Sequence, residues 1–299
     1  MISGKMNSIP LHHRILAASY YPLKFAKTVG QMARLVSNDS LRVLLYHDIA
    51  PQYQASFQAQ LKWLRRSWKF VSAEHFTEMV SGERPILGRN LLLTFDDGFA
   101  SNRIVAEEVL NPLGIRALFF AVSDLVELAD RDEARQFIGR NIYLTEDIDS
   151  LPPHWQNMRW ADLEALLQQG HCIGAHTRTH ARLSEIQIEK ELEDEIIGSA
   201  DKLERRLGVP IEHFAYTFGD LASFSEEALL IARRRFRFVY SGLRGDNLGV
   251  SPLALRREGV TPSDSLALVG AFVEGAADFH YSRSRARLTS WACNGQVQL

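Results

Sequence analysis

From residue 42 onward, short and nearly all-apolar runs alternate with segments of helical period, and this alternation most restricts the fold. "RVLLYHDI", "LLLTF", "RALFFAV", "HCIGAHT", "HFAYTF" and "FRFVYSG" read as strands. Between them, "SFQAQLKWLRRSW" puts Phe57, Leu61 and Leu64 on one helix face, and "SNRIVAEEVLNPLG" predicts a helix capped by Ser101. "WADLEALLQQG" and "SEEALLIARRRF" predict two more. A long helix is expected from about Ser184 to Leu207, with Ser184 and Gln187 as a capping box and Gly208 and Pro210 as its stop. Strands apolar on both faces imply a parallel sheet covered by helices, as an α/β barrel or a doubly wound sheet. Asp124 to Arg159 breaks the rhythm and is long for a connector. It reads as a binding loop or lid, or as a surface insertion.

A chain of 299 residues, 46% hydrophobic and 23% charged, has ample material for a core. Its net charge of -2 gives no general attraction for nucleic acid. Cys172 and Cys293 stand in no CxxC spacing and fit a reducing compartment. The N-terminus differs: Lys5, Arg14, Lys24, Lys27 and Arg34 all precede the first acidic residue, Asp39. "ILAASYYPL" within it is too short to span a bilayer, and its Tyr-Tyr-Pro centre makes a poor signal peptide. The segment is either a packing extension or a helix lying on a membrane surface. The expected location is the cytoplasm, with peripheral membrane contact allowed through this extension.

In α/β folds of this kind, function gathers at the carboxyl ends of the strands. There "NLLLTFDDGF" ends a buried run in two adjacent carboxylates, Asp96 and Asp97. Either the pair is an Asp-Gly surface turn, or something positive sits between the charges. Side chains diverge at a strand end, so one carboxylate can bind a metal while its neighbour faces a substrate. In "GAHTRTH", His176 and His180 are spaced to let two imidazoles meet one cation. A set of three Asp and His ligands leaves a coordination position open for water.

Taken together, "LLLTFDDG", "GHCIGAHTRTHARLS" and "HFAYTFG" resemble the motifs of the polysaccharide deacetylases, carbohydrate esterase family 4. The opening "LLYHDI" resembles the poly-N-acetylglucosamine deacetylase-like branch. The resemblance implies a distorted (β/α) barrel over residues 41–285, after a basic extension (1–40) and before a tail (286–299). It implies metal-dependent removal of an acetyl group from an N-acetylated sugar, in a glycan or glycolipid precursor. It makes Asp96 the general base, Asp97, His176 and His180 the metal ligands, and Zn2+ or another first-row divalent ion the cofactor. The Phe218 backbone N–H would help bind the oxyanion.

Two departures stand out. The third motif of the family is Arg-x-Pro-aromatic-Gly, but here Ala215 replaces the arginine and Thr217 the proline. Arg256 or Arg257 of "LRREGV" is the expected substitute partner for Asp96, and a looser turn is expected without the proline. The usual late histidine, the general acid, has no clear match. His47 is the first candidate and His280 the second, whereas His171 reads as structural. The same four residues would also serve a deformylase or another amide hydrolase of the superfamily. The altered motif leaves room for an impaired glycan-binding protein.

Overall fold

The computed structural model describes residues 11–33 and 37–294. Eight parallel strands form one curled sheet: β1 (Ser40–Tyr46), β2 (Lys69–Val71), β3 (Arg89–Phe95), β4 (Ala117–Ala121), β5 (Cys172–Ala175), β6 (His213–Ala215), β7 (Phe238–Tyr240) and β8 (Glu258–Gly259). The order is β7-β6-β5-β4-β3-β1-β8. β3 pairs with β2 along its first half and with β4 along its second. Leu255, just before β8, bridges Tyr240 of β7, so the sheet curls round to its own start as a distorted barrel. The parallel sheet and the barrel agree with the reading from sequence.

Why the strands read as all-apolar is visible in their alternation. Leu41, Val43, Leu92, Leu118 and Phe120 join Phe238, Tyr240 and Leu255 in one cluster. Their neighbours Leu44, Tyr46, Leu91, Leu93, Phe95 and Phe119 pack in a second cluster with the surrounding helices. Both faces are therefore dry, and burial of each such side chain is worth about 1.5–3 kcal/mol.

Around the sheet lie α1 (Leu11–Met32), α2 (Gln54–Leu64), α3 (Ala73–Val80), α4 (Ala100–Val105), α5 (Ser123–Glu127), α6 (Arg131–Phe137) and α7 (Trp160–Gln168). They are followed by α8 (Glu189–Glu193), α9 (Ser199–Leu207), α10 (Glu226–Ala232), α11 (Leu266–Val273) and α12 (Ser282–Asn294). Three expectations change. The long helix does not begin at Ser184, whose hydroxyl donates to the Ala222 carbonyl instead of closing a capping box. It begins at Glu189 and reaches Leu207 through a π-type turn at Asp194–Gly198. Ser101 is not a cap either: Phe99 holds that position, and the Ser101 hydroxyl bonds Asp48 and the Ile49 N–H. Finally, α12 runs across the expected boundary at 285 and buries Leu288, Trp291 and Ala292, so 286–294 belongs to the packed body.

Candidate active site

The carboxyl ends of the strands surround a cavity of about 560 Å³, lined among others by His47, Asp96, Asp97, His176, His180, Phe218 and Arg257. β3 delivers the two aspartates. Asp96 keeps the sheet register, its N–H donating to the Tyr46 carbonyl at 3.0 Å. Asp97 then turns left-handed at φ 72°, and this reversal separates the two carboxylates. Thr177, His180 and Phe218 are also left-handed, at φ 59°, 66° and 62°. Non-glycine residues adopt this region at a cost, and such strain collects at functional sites.

Asp97, His176 and His180 are all buried, and one ligand atom from each lies within 4.8 Å of the others. The Asp97 Oδ1 is 3.4 Å from His176 Nε2 and 3.3 Å from His180 Nε2. The other ring nitrogens decide the tautomers. His176 Nδ1 meets the Ala215 carbonyl at 2.7 Å, and His180 Nδ1 meets the Asn141 carbonyl at 2.9 Å. A carbonyl only accepts, so both Nδ1 atoms carry protons. In neutral rings, both Nε2 lone pairs then face a carboxylate oxygen, an arrangement that repels unless a cation sits among the three. The set fits a divalent metal, with backbone carbonyls orienting both imidazoles. The electrostatics agree. Burial alone would raise the Asp97 carboxyl, but hydrogen bonds from His176 and His180 and the charge at His47 hold it well below the usual carboxylate range. Burial alone would lower His176, but the charges of Asp96 and Asp97 raise it. A field that favours a proton at Nε2 favours a metal cation in the same place.

Asp96 has a different partner. Arg257 forks onto it, Nη1 to Oδ1 at 2.6 Å and Nη2 to Oδ2 at 2.9 Å, while its Nε donates to the Ser241 carbonyl. Arg256, the other expected candidate, is corrected: it donates to the Asp246 carbonyl at 2.9 Å and does not line the cavity. Adjacent residues of an extended segment face opposite sides, and only one of the two can reach Asp96.

The third motif is tied where proline is missing. The Thr217 hydroxyl donates to the Ala181 carbonyl at 2.5 Å, joining this turn to the residue after His180. The Thr217 carbonyl accepts from the Ser223 hydroxyl at 2.9 Å. Gly219 permits a close approach: a Cβ there would lie 2.9 Å from the Gly242 Cα. The loose turn expected from losing the proline is therefore a tethered one.

His47 lines the cavity at the end of β1, its carbonyl held by Asn102. His280 is exposed against Phe279, away from the cavity, and is corrected as a candidate for the acid. The interrupting segment 124–159 brings Ile142, Tyr143 and Trp155 to the cavity wall. Tyr143 stacks on Trp155 with ring centroids 3.9 Å apart. Asp48 pins this wall to β1, accepting from the Trp155 indole at 3.0 Å and meeting His154 Nε2 at 2.8 Å. "YHDI" showed Asp48 in the sequence, but its aromatic partners a hundred residues on gave no signal of their own.

The model of the family described as polysaccharide deacetylase matches residues 85–235. The chain belongs to the polysaccharide deacetylase family. It is 22% identical over 251 residues to YxkH of Bacillus subtilis (strain 168), itself named as a polysaccharide deacetylase, covering 78% of this chain and 76% of that one. Among solved structures, IcaB from Ammonifex degensii is similar with a TM-score of 0.62 and 23% identity, covering 80% of this chain and 99% of that one. The Streptococcus pyogenes deacetylase PplD, in complex with acetate, gives 0.62 and 19%, covering 79% and 99%. At these identities the solved structures carry the deacetylase fold, and the family rests on the match to 85–235.

Proposed function

We propose that the protein is a metal-dependent de-N-acetylase acting on an N-acetylated sugar of a glycan or glycolipid precursor. The observation that carries this reading is the division of labour between two neighbouring buried carboxylates, Asp97 toward two imidazoles and Asp96 toward a guanidinium. Asp97, His176 and His180 would hold a divalent ion, zinc or another first-row metal. When bound, such an ion polarises the amide carbonyl and acidifies water.

The remaining work falls to the chain's own groups. Arg257 forks onto Asp96 and fixes its plane, so that Asp96 accepts a proton from the attacking water. Phe218 presents its backbone N–H to the charge that develops on the acetyl oxygen, a role that requires no particular side chain. His47 donates a proton to the departing amine. Tyr143 and Trp155 offer an aromatic wall to a sugar ring. The branch resembled by "LLYHDI" is supported at the level of fold by the similarity to IcaB.

The test is acetate release from chitooligosaccharides before chelation, after it and after metal is restored. Recovery of release with the metal supports the reading. Formate release from N-formyl sugars without acetate release would transfer the site to a deformylase. Saccharide binding with neither release would make it a glycan-binding protein.

A further inference from the structure

The helix α1 carries two apolar faces, and among the described residues only one of them is packed. Leu16, Ala17 and Tyr20 pack toward the body, where the Tyr20 ring meets Trp63 and sits over Gly270 of α11. The opposite side presents Leu11, Ile15, Ala18, Pro22, Phe25 and Val29, all exposed, at spacings of four and three. Leu11, Ile15 and Phe25 are 70%, 62% and 72% exposed, unusual for side chains of this kind lying on one line. The stripe spans about 27 Å at 1.5 Å per residue. Yet no helix among the described residues is long and apolar enough to cross a membrane.

Charge selects what covers the stripe. The first 38 residues contain five basic and no acidic residues, while the whole chain has a net charge of -2, so the rest bears -7. On the helix, Lys27 is engaged by Glu274 and the half-buried Lys24 donates to the Tyr20 hydroxyl on the packed side, whereas the exposed Arg14 flanks the stripe with no carboxylate partner among the described residues. Two copies meeting through this face would oppose two segments of +5. An anionic surface would be attracted here and repelled by the remainder of the protein, which also sets the orientation. We infer that α1 docks the protein on an anionic lipid surface, its stripe Leu11–Val29 lying in the headgroup boundary with Arg14 beside it. This docking is independent of the reaction proposed above.

The experiment uses the full chain and sedimentation with vesicles of phosphatidylcholine alone or mixed with phosphatidylglycerol. The wild type should partition at least tenfold more strongly onto the anionic vesicles, and salt should weaken it. Ile15→Asp/Phe25→Asp should lower that partition at least tenfold, and Arg14→Glu should weaken the preference for anionic lipid. Both variants change exposed positions, so their thermal unfolding and their turnover of a soluble oligosaccharide should match the wild type. No vesicle binding by the wild type would overturn the inference, as would binding that neither variant changes. A wild-type dimer that Ile15→Asp/Phe25→Asp dissociates, with vesicle binding absent, would assign the stripe to a second copy instead.

Discussion

Strand β5 has a buried histidine at each end, and the two ends of the barrel use them in opposite ways. His171, before the strand, accepts from the Ala117 N–H through Nδ1 and faces Asn111. His213, at the amino end of β6, faces the Tyr240 hydroxyl. Neither meets a carboxylate among the described residues, and both are pulled down to about 4, first by burial and then by nearby arginines, so they stay neutral. His176, after the strand, meets Asp97 and Asp96 and is raised instead. Burial is similar at both ends. Partners decide which histidine packs and which can bind a metal.

The backbone repeats the contrast. At the amino ends, left-handed positions before β3, β4 and β5 belong to Gly88, Gly114 and Gly170, which adopt them without strain. At the carboxyl ends, beside Gly98 and Gly219, they also fall on Asp97, Thr177, His180 and Phe218, where non-glycine residues accept the strain.

The sharpest way to break this comparison is to remove imidazoles at each end. His176→Ala or His180→Ala should leave almost no bound metal and no measurable acetate release. His171→Asn and His213→Asn should retain both, losing about 1–3 kcal/mol of stability through unsatisfied buried partners. Metal loss from His171→Asn equal to that from His176→Ala would erase the distinction.

Next comes the arginine pair. Arg257→Met leaves Asp96 buried without its partner, so about 3–5 kcal/mol of stability should go, with turnover falling roughly 10–100-fold. Arg256→Ala should change turnover little. The reverse ranking in acetate release would mean that the fork on Asp96 is not what holds the base.

A smaller effect is expected at the tethered turn. Thr217→Val removes the hydroxyl bond to Ala181 and should cost about 1 kcal/mol, with kcat reduced more than KM is raised. Thr217→Ser should restore the wild-type values, and a Ser variant no better than Val would show that the tie is irrelevant.

The same comparison extends to pH. His171 and His213 have folded values of about 4 against an ordinary 6.5, so below 6.5 the unfolded chain takes up protons that the native state refuses. Their contribution to stability is complete above pH 6.5 and is lost as pH falls toward 4. Thermal unfolding of chelated protein at pH 7 and pH 5 should therefore differ less for His213→Gln than for the wild type. An unchanged difference would contradict the assignment.

Much of this was legible in the sequence because it follows from local rules. The all-apolar strands announced a two-sided parallel sheet, and Asp96, Asp97, His176 and His180 stood where two of those strands end. What failed depended on tertiary partners. Ser184 and Ser101 are ordinary capping residues, yet both hydroxyls are drawn to distant groups, Ala222 and Asp48. Arg256 and Arg257 differ by one position, and only the register of β8 with β1 settles which faces Asp96. The Asn141 carbonyl that orients His180 has no sequence signature, since every residue supplies a carbonyl.

The central claim is that neighbouring aspartates divide metal binding from base catalysis, and the most direct test is metal per chain measured alongside acetate release for Asp96→Asn and Asp97→Asn. Asp97→Asn should lose most of its metal, because a neutral amide is a poor ligand for a hard divalent ion. Asp96→Asn should keep its metal and still bind saccharide, while turnover drops roughly 10²–10⁴-fold. Equal metal loss in the two variants, or full activity in either, would contradict the account.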